Sequence, residues 1–161
     1  MKKVLQQTIV AASLVLAAGG VFAADANVYF APTNTFMDMP SDADARAEVL
    51  IQLSKHFDKL AAKLPAGQEL KVVVLNVDLA GKNWHGSPGT REMRLVRAQG
   101  DWPYLKLQYT ITENGKVLEA REEHLKNMGY MTRANIYFSG DSLRYEKQML
   151  DDWFAHRIAA R

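Results

Sequence analysis

Three features of the sequence predict an α+β fold. Residues 49–64 carry apolar side chains at helical spacing, residues 104–112 alternate cleanly and run into Asn114-Gly115, and residues 143–158 again show helical spacing. Together they imply a two-layer sandwich, a mostly antiparallel sheet with two amphipathic helices on one face, in the order β-α-β-β-β-β-α.

The elements follow in turn. Asn27 to Ala31 (NVYFA) is a short β-type run, and Pro32 to Pro40 is a loop containing Phe36 and two methionines. Ser41-x-x-Asp44 resembles a capping box. Val49, Leu50, Leu53, Phe57, Leu60, Ala61 and Leu64 then form one stripe, and Pro65-Ala66-Gly67 stops it, giving a helix over residues 42–63. Glu69 to Leu79 (ELKVVVLNVDL) is apolar on both faces, as an interior strand is. Its helix-facing side is expected to be Val73, Leu75, Val77 and Leu79, leaving Val72, Val74, Asn76 and Asp78 on the other. Ala80 to Gly89 (AGKNWHGSPG) is a loop. Arg91 to Arg97 alternates, with Met93 and Leu95 expected inward. In Tyr104 to Thr112, Leu105, Leu107, Tyr109 and Ile111 point inward, and Tyr104, Lys106, Gln108 and Thr110 outward. Asn114-Gly115 suits a type I′ turn, which needs two positive φ angles, so Lys116 to Leu125 pairs back antiparallel. Asn135 to Phe138 is a candidate for a further short strand. Asp141 or Ser142 caps a last helix, whose stripe is Leu143, Leu150, Trp153, Phe154 and Ile158.

The first 23 residues read as a secretory signal peptide. A basic start (Met1-Lys2-Lys3) precedes the apolar run Ile9 to Ala18, and Val21-Phe22-Ala23 is a small-x-small cleavage site. The run is far shorter than the roughly 20 residues of a membrane span. Cleavage after Ala23 is expected, with a periplasmic location and one globular domain over residues 24–161. Lys2 and Lys3 leave with the leader, so 20 − 2 = 18 basic side chains balance 18 acidic ones. A neutral domain has no electrostatic reason to bind nucleic acid. With no cysteine, disulfides, thiolate metal sites and cysteine nucleophiles are excluded.

Few residues carry recognisable chemistry. Asp78, at a strand end before a loop holding His85, could join it as a metal site or an acid–base pair; the simpler reading is that Asp78 shapes the turn. His56, His124 and His156 show no metal-ligand spacing. Asp151-Asp152 point about 100° apart on a helix, so one is expected in solvent and the other beside a base. Trp84 in its Gly/Pro loop either plugs the core edge or meets a partner. Glu146 shares the buried stripe of the last helix with Leu143 and Leu150 and needs a base; Arg91 is the expected partner, as a structural pair. No catalytic residue, cofactor or metal is assigned, and no divalent metal is expected to be required.

Three segments carry a family resemblance: LPAGQEL (Leu64 to Leu70), VDLAG (Val77 to Gly81) and YEKQMLDDWF (Tyr145 to Phe154). With the opening β run, Phe36 and Asp38, they resemble the bacterial secreted family catalogued as domain of unknown function 3016, from Val28 to Phe154. The resemblance implies a periplasmic globular domain and assigns no activity.

The expected function is a non-enzymatic binding or interaction module of the bacterial envelope. Its partner would be an envelope protein or other periplasmic component, with no nucleic acid and no membrane span after signal cleavage. The candidate surface is the open sheet face and adjoining loop: Val72, Val74, Asp78, Trp84, His85, Tyr104 and Lys106. The alternative is a small hydrolase or metal-assisted enzyme centred on Asp78 and His85.

Overall fold

The computed structural model describes residues 26–84, 93–97 and 100–159. Residues 1–23, read from the sequence as a signal peptide, and His85 and Arg91 lie outside the described residues. Strand β1 (Asn27–Phe30) leads through a 3-10 turn (Thr33–Thr35) to helix α1 (Ala43–Ala61) and strand β2 (Gln68–Asp78). Strands β3 (Lys82–Trp84) and β4 (Met93–Leu95) follow, then β5 (Tyr104–Glu113), β6 (Lys116–Lys126) and helix α2 (Arg144–Arg157). The α+β class predicted from the sequence is the one observed. A four-stranded sheet runs in the order β1-β2-β5-β6, with β1 parallel to β2 and the other pairs antiparallel. Strands β3 and β4 form a separate two-stranded ribbon.

The cap of α1 sits one residue later than the Ser41 pattern suggested. Asp42 is in extended conformation and accepts the Ala45 N–H at 2.8 Å, satisfying one of the helix's orphan donors. Helix α2 begins without a side-chain cap on Leu143; Asp141 accepts the Leu143 N–H at 2.9 Å and holds Lys147 at 2.7 Å. The turn between β5 and β6 has positive φ at both Asn114 (49°) and Gly115 (79°), as the type I′ expectation required. Residues 135–138 form no strand.

Both helices pack on one face of the large sheet. Val49, Leu53, Phe57 and Leu60 from α1 meet Leu150, Trp153 and Phe154 from α2 in a single buried cluster with β2 and β5. The Trp153 ring lies edge-on to Phe57 and Tyr109, with centroids 6.4 and 5.3 Å away. Strand β5 obeys its alternation: Leu105, Leu107, Tyr109 and Ile111 are buried.

Strand β2 corrects the expected facing. Leu70, Val72 and Val74 are fully buried, and so is Val77. The parity changes because the register slips between Val74 and Asn76: Val74 faces Leu107 while Asn76 faces Lys106, leaving Leu75 as an extra residue. A β-bulge of this kind lets one strand send even-numbered residues inward before it and odd-numbered ones after it. Val72 and Val74 are therefore core residues, Val73 and Leu75 are not, and the expected facing holds only after the bulge, for Asn76, Val77, Asp78 and Leu79.

Between the helices, buried His56 brings its Nε2 3.3 Å from Asp151 Oδ1, without hydrogen-bond alignment. Tyr137 donates to the other Asp151 oxygen, and Asp152 pairs outward with Arg133 at 2.8 Å. Burial lowers the His56 pKa below its ordinary value of 6.5, against the pull of Asp151 and with help from Lys147, Lys59 and Lys63. A depressed folded-state pKa contributes stability above the unfolded value and loses it as pH falls through the folded one. Urea unfolding from neutral to mildly acid pH is therefore expected to show a loss of stability below 6.5 that His56→Gln reduces. Parallel pH curves for the two proteins would contradict it.

Candidate functional site

The sheet's open face is a polar ladder rather than the expected apolar patch. Lys106 reaches Glu122 at 2.9 Å, Gln108 donates to Glu122 at 3.1 Å, and the Tyr104 hydroxyl lies 2.9 Å from His124 Nδ1. With Val72 and Val74 in the core, the candidate surface loses its apolar centre. Tyr104 and Lys106 satisfy each other's neighbours across β5 and β6 instead of offering an interface core.

The bulge that buries Val74 also delivers Asp78 to the C-terminal end of β2. There the preceding loop folds alongside: Asp38 forms a parallel bridge with Asp78, its N–H donates to the Val77 carbonyl at 3.2 Å, and Met37 N–H donates to Asn76 Oδ1 at 2.9 Å. The chain then turns at Gly81, which has φ +84° and lies so close to the Leu95 carbonyl that a Cβ there would clash with backbone. This turn swings the β3–β4 ribbon over the strand end.

The ribbon has two unlike faces. Asn83 and Arg94, paired across it, point back to the strand end. Arg94 donates to Asp38 Oδ2 at 3.4 Å, Asn83 Oδ1 at 3.2 Å and the Ala80 carbonyl at 3.2 Å. Asn83 Nδ2 donates to the Met39 carbonyl at 3.3 Å. Met93 and Leu95, expected inward, are exposed on the opposite face. Trp84, opposite Met93, is 56% exposed, which rejects the reading of it as a plug of the core edge.

These elements enclose a cleft of about 540 Å³, lined by Met37, Asp38, Met39, Asp78, Asn83 and Asp101 among others. Arg94 partly neutralises Asp38, and Lys82 lies 3.6 Å from Asp101. Asp78 has no hydrogen-bond or ion-pair partner for its carboxylate among the described residues. Burial, then the neighbouring Asp38 and Asp101, push its pKa above the usual carboxylate range, while Arg94 and Lys82 pull it down. Asp78 is thus the half-buried carboxylate of the cleft that lacks a direct ion pair among the described residues, with Arg94 and Lys82 acting on it only from a distance.

Glu146 stands behind this site. It is buried, as its place on the stripe implied, and its Oε1 accepts the Ala80 N–H at 2.7 Å. Oε2 has no hydrogen-bond partner among the described residues, and burial raises the pKa of the group. Arg91 lies outside the described residues. The described base whose charge reaches Glu146 is Arg94, on β4, which binds the carbonyl of the same Ala80.

Asp38, Asn83, Arg94 and Asp101 were missed as site residues by sequence reasoning. Their separation in the chain hides them; only Asp38 had been marked, through the family resemblance. Among the described residues, no group of three His, Cys, Asp or Glu side chains is placed to hold a metal ion, and no helix is long and apolar enough to cross a membrane.

The family model of the protein of unknown function DUF3016 matches residues 24–156, from before β1 to the last turn of α2 and including the cleft. The chain belongs to the DUF3016 family. No curated protein and no solved structure matches it. Membership covers both the bulged β2 and the ribbon, so the cleft is built wholly within the family domain.

Proposed function

We propose that this DUF3016 protein is a non-enzymatic binding module of the bacterial envelope, and that the cleft at the end of β2 takes a small positively charged ligand. The envelope location rests on the basic, apolar and small-residue order of residues 1–23. The observation that carries the binding reading is the unpaired Asp78 carboxylate in a cleft whose other two aspartates already have basic partners. A half-buried carboxylate without a partner is costly, and a bound cation removes that cost.

Calorimetric titration with putrescine, agmatine and calcium ions tests this. Binding is expected to weaken about tenfold or more in Asp78→Asn. It is also expected to strengthen as pH rises through the elevated Asp78 pKa, because only the ionised carboxylate attracts the ligand. The sign for stability is opposite: a raised folded-state pKa contributes stability at acid pH that is lost as Asp78 ionises, and ligand restores it. Failure of all three cations to bind, or equal binding by Asp78→Asn, would contradict the proposal.

A further inference from the structure

Strand β6 is an edge of the large sheet: β5 covers one side of it, and no strand pairs with the other among the described residues. One bond fixes the direction of its free backbone groups. The Asn127 N–H donates to the Pro103 carbonyl at 3.2 Å, and the Tyr104–Lys126 and Leu105–Leu125 pairs continue that register. Opposed residues of an antiparallel pair alternate between bonded and non-bonded, so Asn127, Leu125 and Glu123 turn their backbone groups to β5. Lys126, His124 and Glu122 turn theirs outward, a template for another strand.

A groove of about 290 Å³ lies between the end of β6 and α2, and none of its residues lines the cleft at the end of β2. Leu125, Met149 and Trp153 give it an apolar lining. Its two acids are already held, Glu123 by Arg157 at 3.4 Å and Asp152 by Arg133 at 2.8 Å. Lys126 and His156 have no ion-pair partner among the described residues. His124 and Lys126 stand opposite Lys106 and Tyr104 on the open face, whereas Leu125 stands opposite buried Leu105 on the helix face. We propose that this edge takes an extended acidic peptide of a partner protein as a fifth strand of the sheet. Acidic side chains opposite His124 and Lys126 meet the unpaired ammonium, and the alternate, apolar side chains lie beside Leu125 and Met149. Main-chain bonds to the outward groups give such a site its affinity, and the alternating side chains give it selectivity.

A hexapeptide of alternating valine and glutamate, capped at both ends, provides the probe. Its binding is expected to slow hydrogen exchange at the His124 and Lys126 amides and to shift the indole signal of Trp153, which lines the groove. The same peptide with lysine for glutamate should bind about tenfold more weakly, and Lys126→Glu should weaken the glutamate peptide about fivefold. Backbone methylation separates strand addition from mere charge attraction. Glutamates opposite His124 and Lys126 are the peptide residues whose N–H groups face β6, so N-methylation of the glutamates should abolish binding. N-methylation of the valines, whose N–H groups face away, should spare it. Equal loss from both methylation patterns would overturn strand addition, and equal binding of the lysine peptide would overturn the acidic partner. Failure of every peptide to bind would overturn the proposal outright. So would dimerisation of the protein that protects the same amides without peptide, since the edge would then belong to a second copy of the chain.

Discussion

Val74→Lys is expected to abolish folding, while Val73→Lys, one residue earlier, should leave a stable domain. Val74 is fully buried, opposite Leu107 on one side and Phe30 on the other. An ammonium there has no counter-ion within the apolar cluster, and an unpaired buried charge costs several kcal/mol. A domain of this size has about 5–15 kcal/mol in total. Val73 faces away from the helices, opposite exposed Gln108, so a lysine there can extend its charged end into solvent. The milder Val74→Ala removes buried apolar surface and is expected to cost about 1.5–3 kcal/mol. Circular dichroism and urea unfolding of the three variants decide the matter. A folded Val74→Lys beside an unfolded Val73→Lys would place the bulge elsewhere.

Glu146→Leu should lose about 1–3 kcal/mol, since the buried Ala80 N–H is left without its carboxyl acceptor. Glu146→Gln keeps an acceptor for that N–H and should lose much less. The pH dependence separates the two effects. Burial raises the Glu146 pKa, so its contribution is fully present below the ordinary glutamate range and is lost as pH rises through the elevated value. The glutamine variant lacks that loss, so its stability relative to the natural protein should improve from acid to neutral pH. Urea unfolding across that range measures it; equal losses for leucine and glutamine would show that the Ala80 bond contributes nothing. Because Arg94 binds the carbonyl of the same residue, Glu146→Leu should also loosen the ribbon over the cleft.

The elements that were legible in the sequence are those whose local pattern has one physical reading. Tyr104 to Thr112 alternates strictly, and Asn114-Gly115 admits positive φ at both positions, so strand, facing and turn followed together. Strand β2 was legible as a strand but not in its facing. Val72, Val73, Val74 and Leu75 are all apolar, so their order carries no parity, and a bulge leaves no mark in such a run. Met93 and Leu95 misled for a related reason. Apolar alternation suggests burial, yet a two-stranded ribbon outside the main sheet can expose that face and turn Arg94 inward. Asp78 could be singled out from its strand-end position, whereas the partners that make its surroundings depend on a bridge, a ribbon and a loop brought together only by the fold.

Amide chemical-shift mapping during a putrescine titration tests the cleft assignment most directly. The account predicts the largest shifts at Asp38, Asp78, Gly81, Asn83, Gly100 and Asp101, which border the cleft, and their loss in Asp78→Asn. Shifts centred instead on Lys106, Glu122 and His124, along the open sheet face, would contradict it and return the binding surface to the polar ladder.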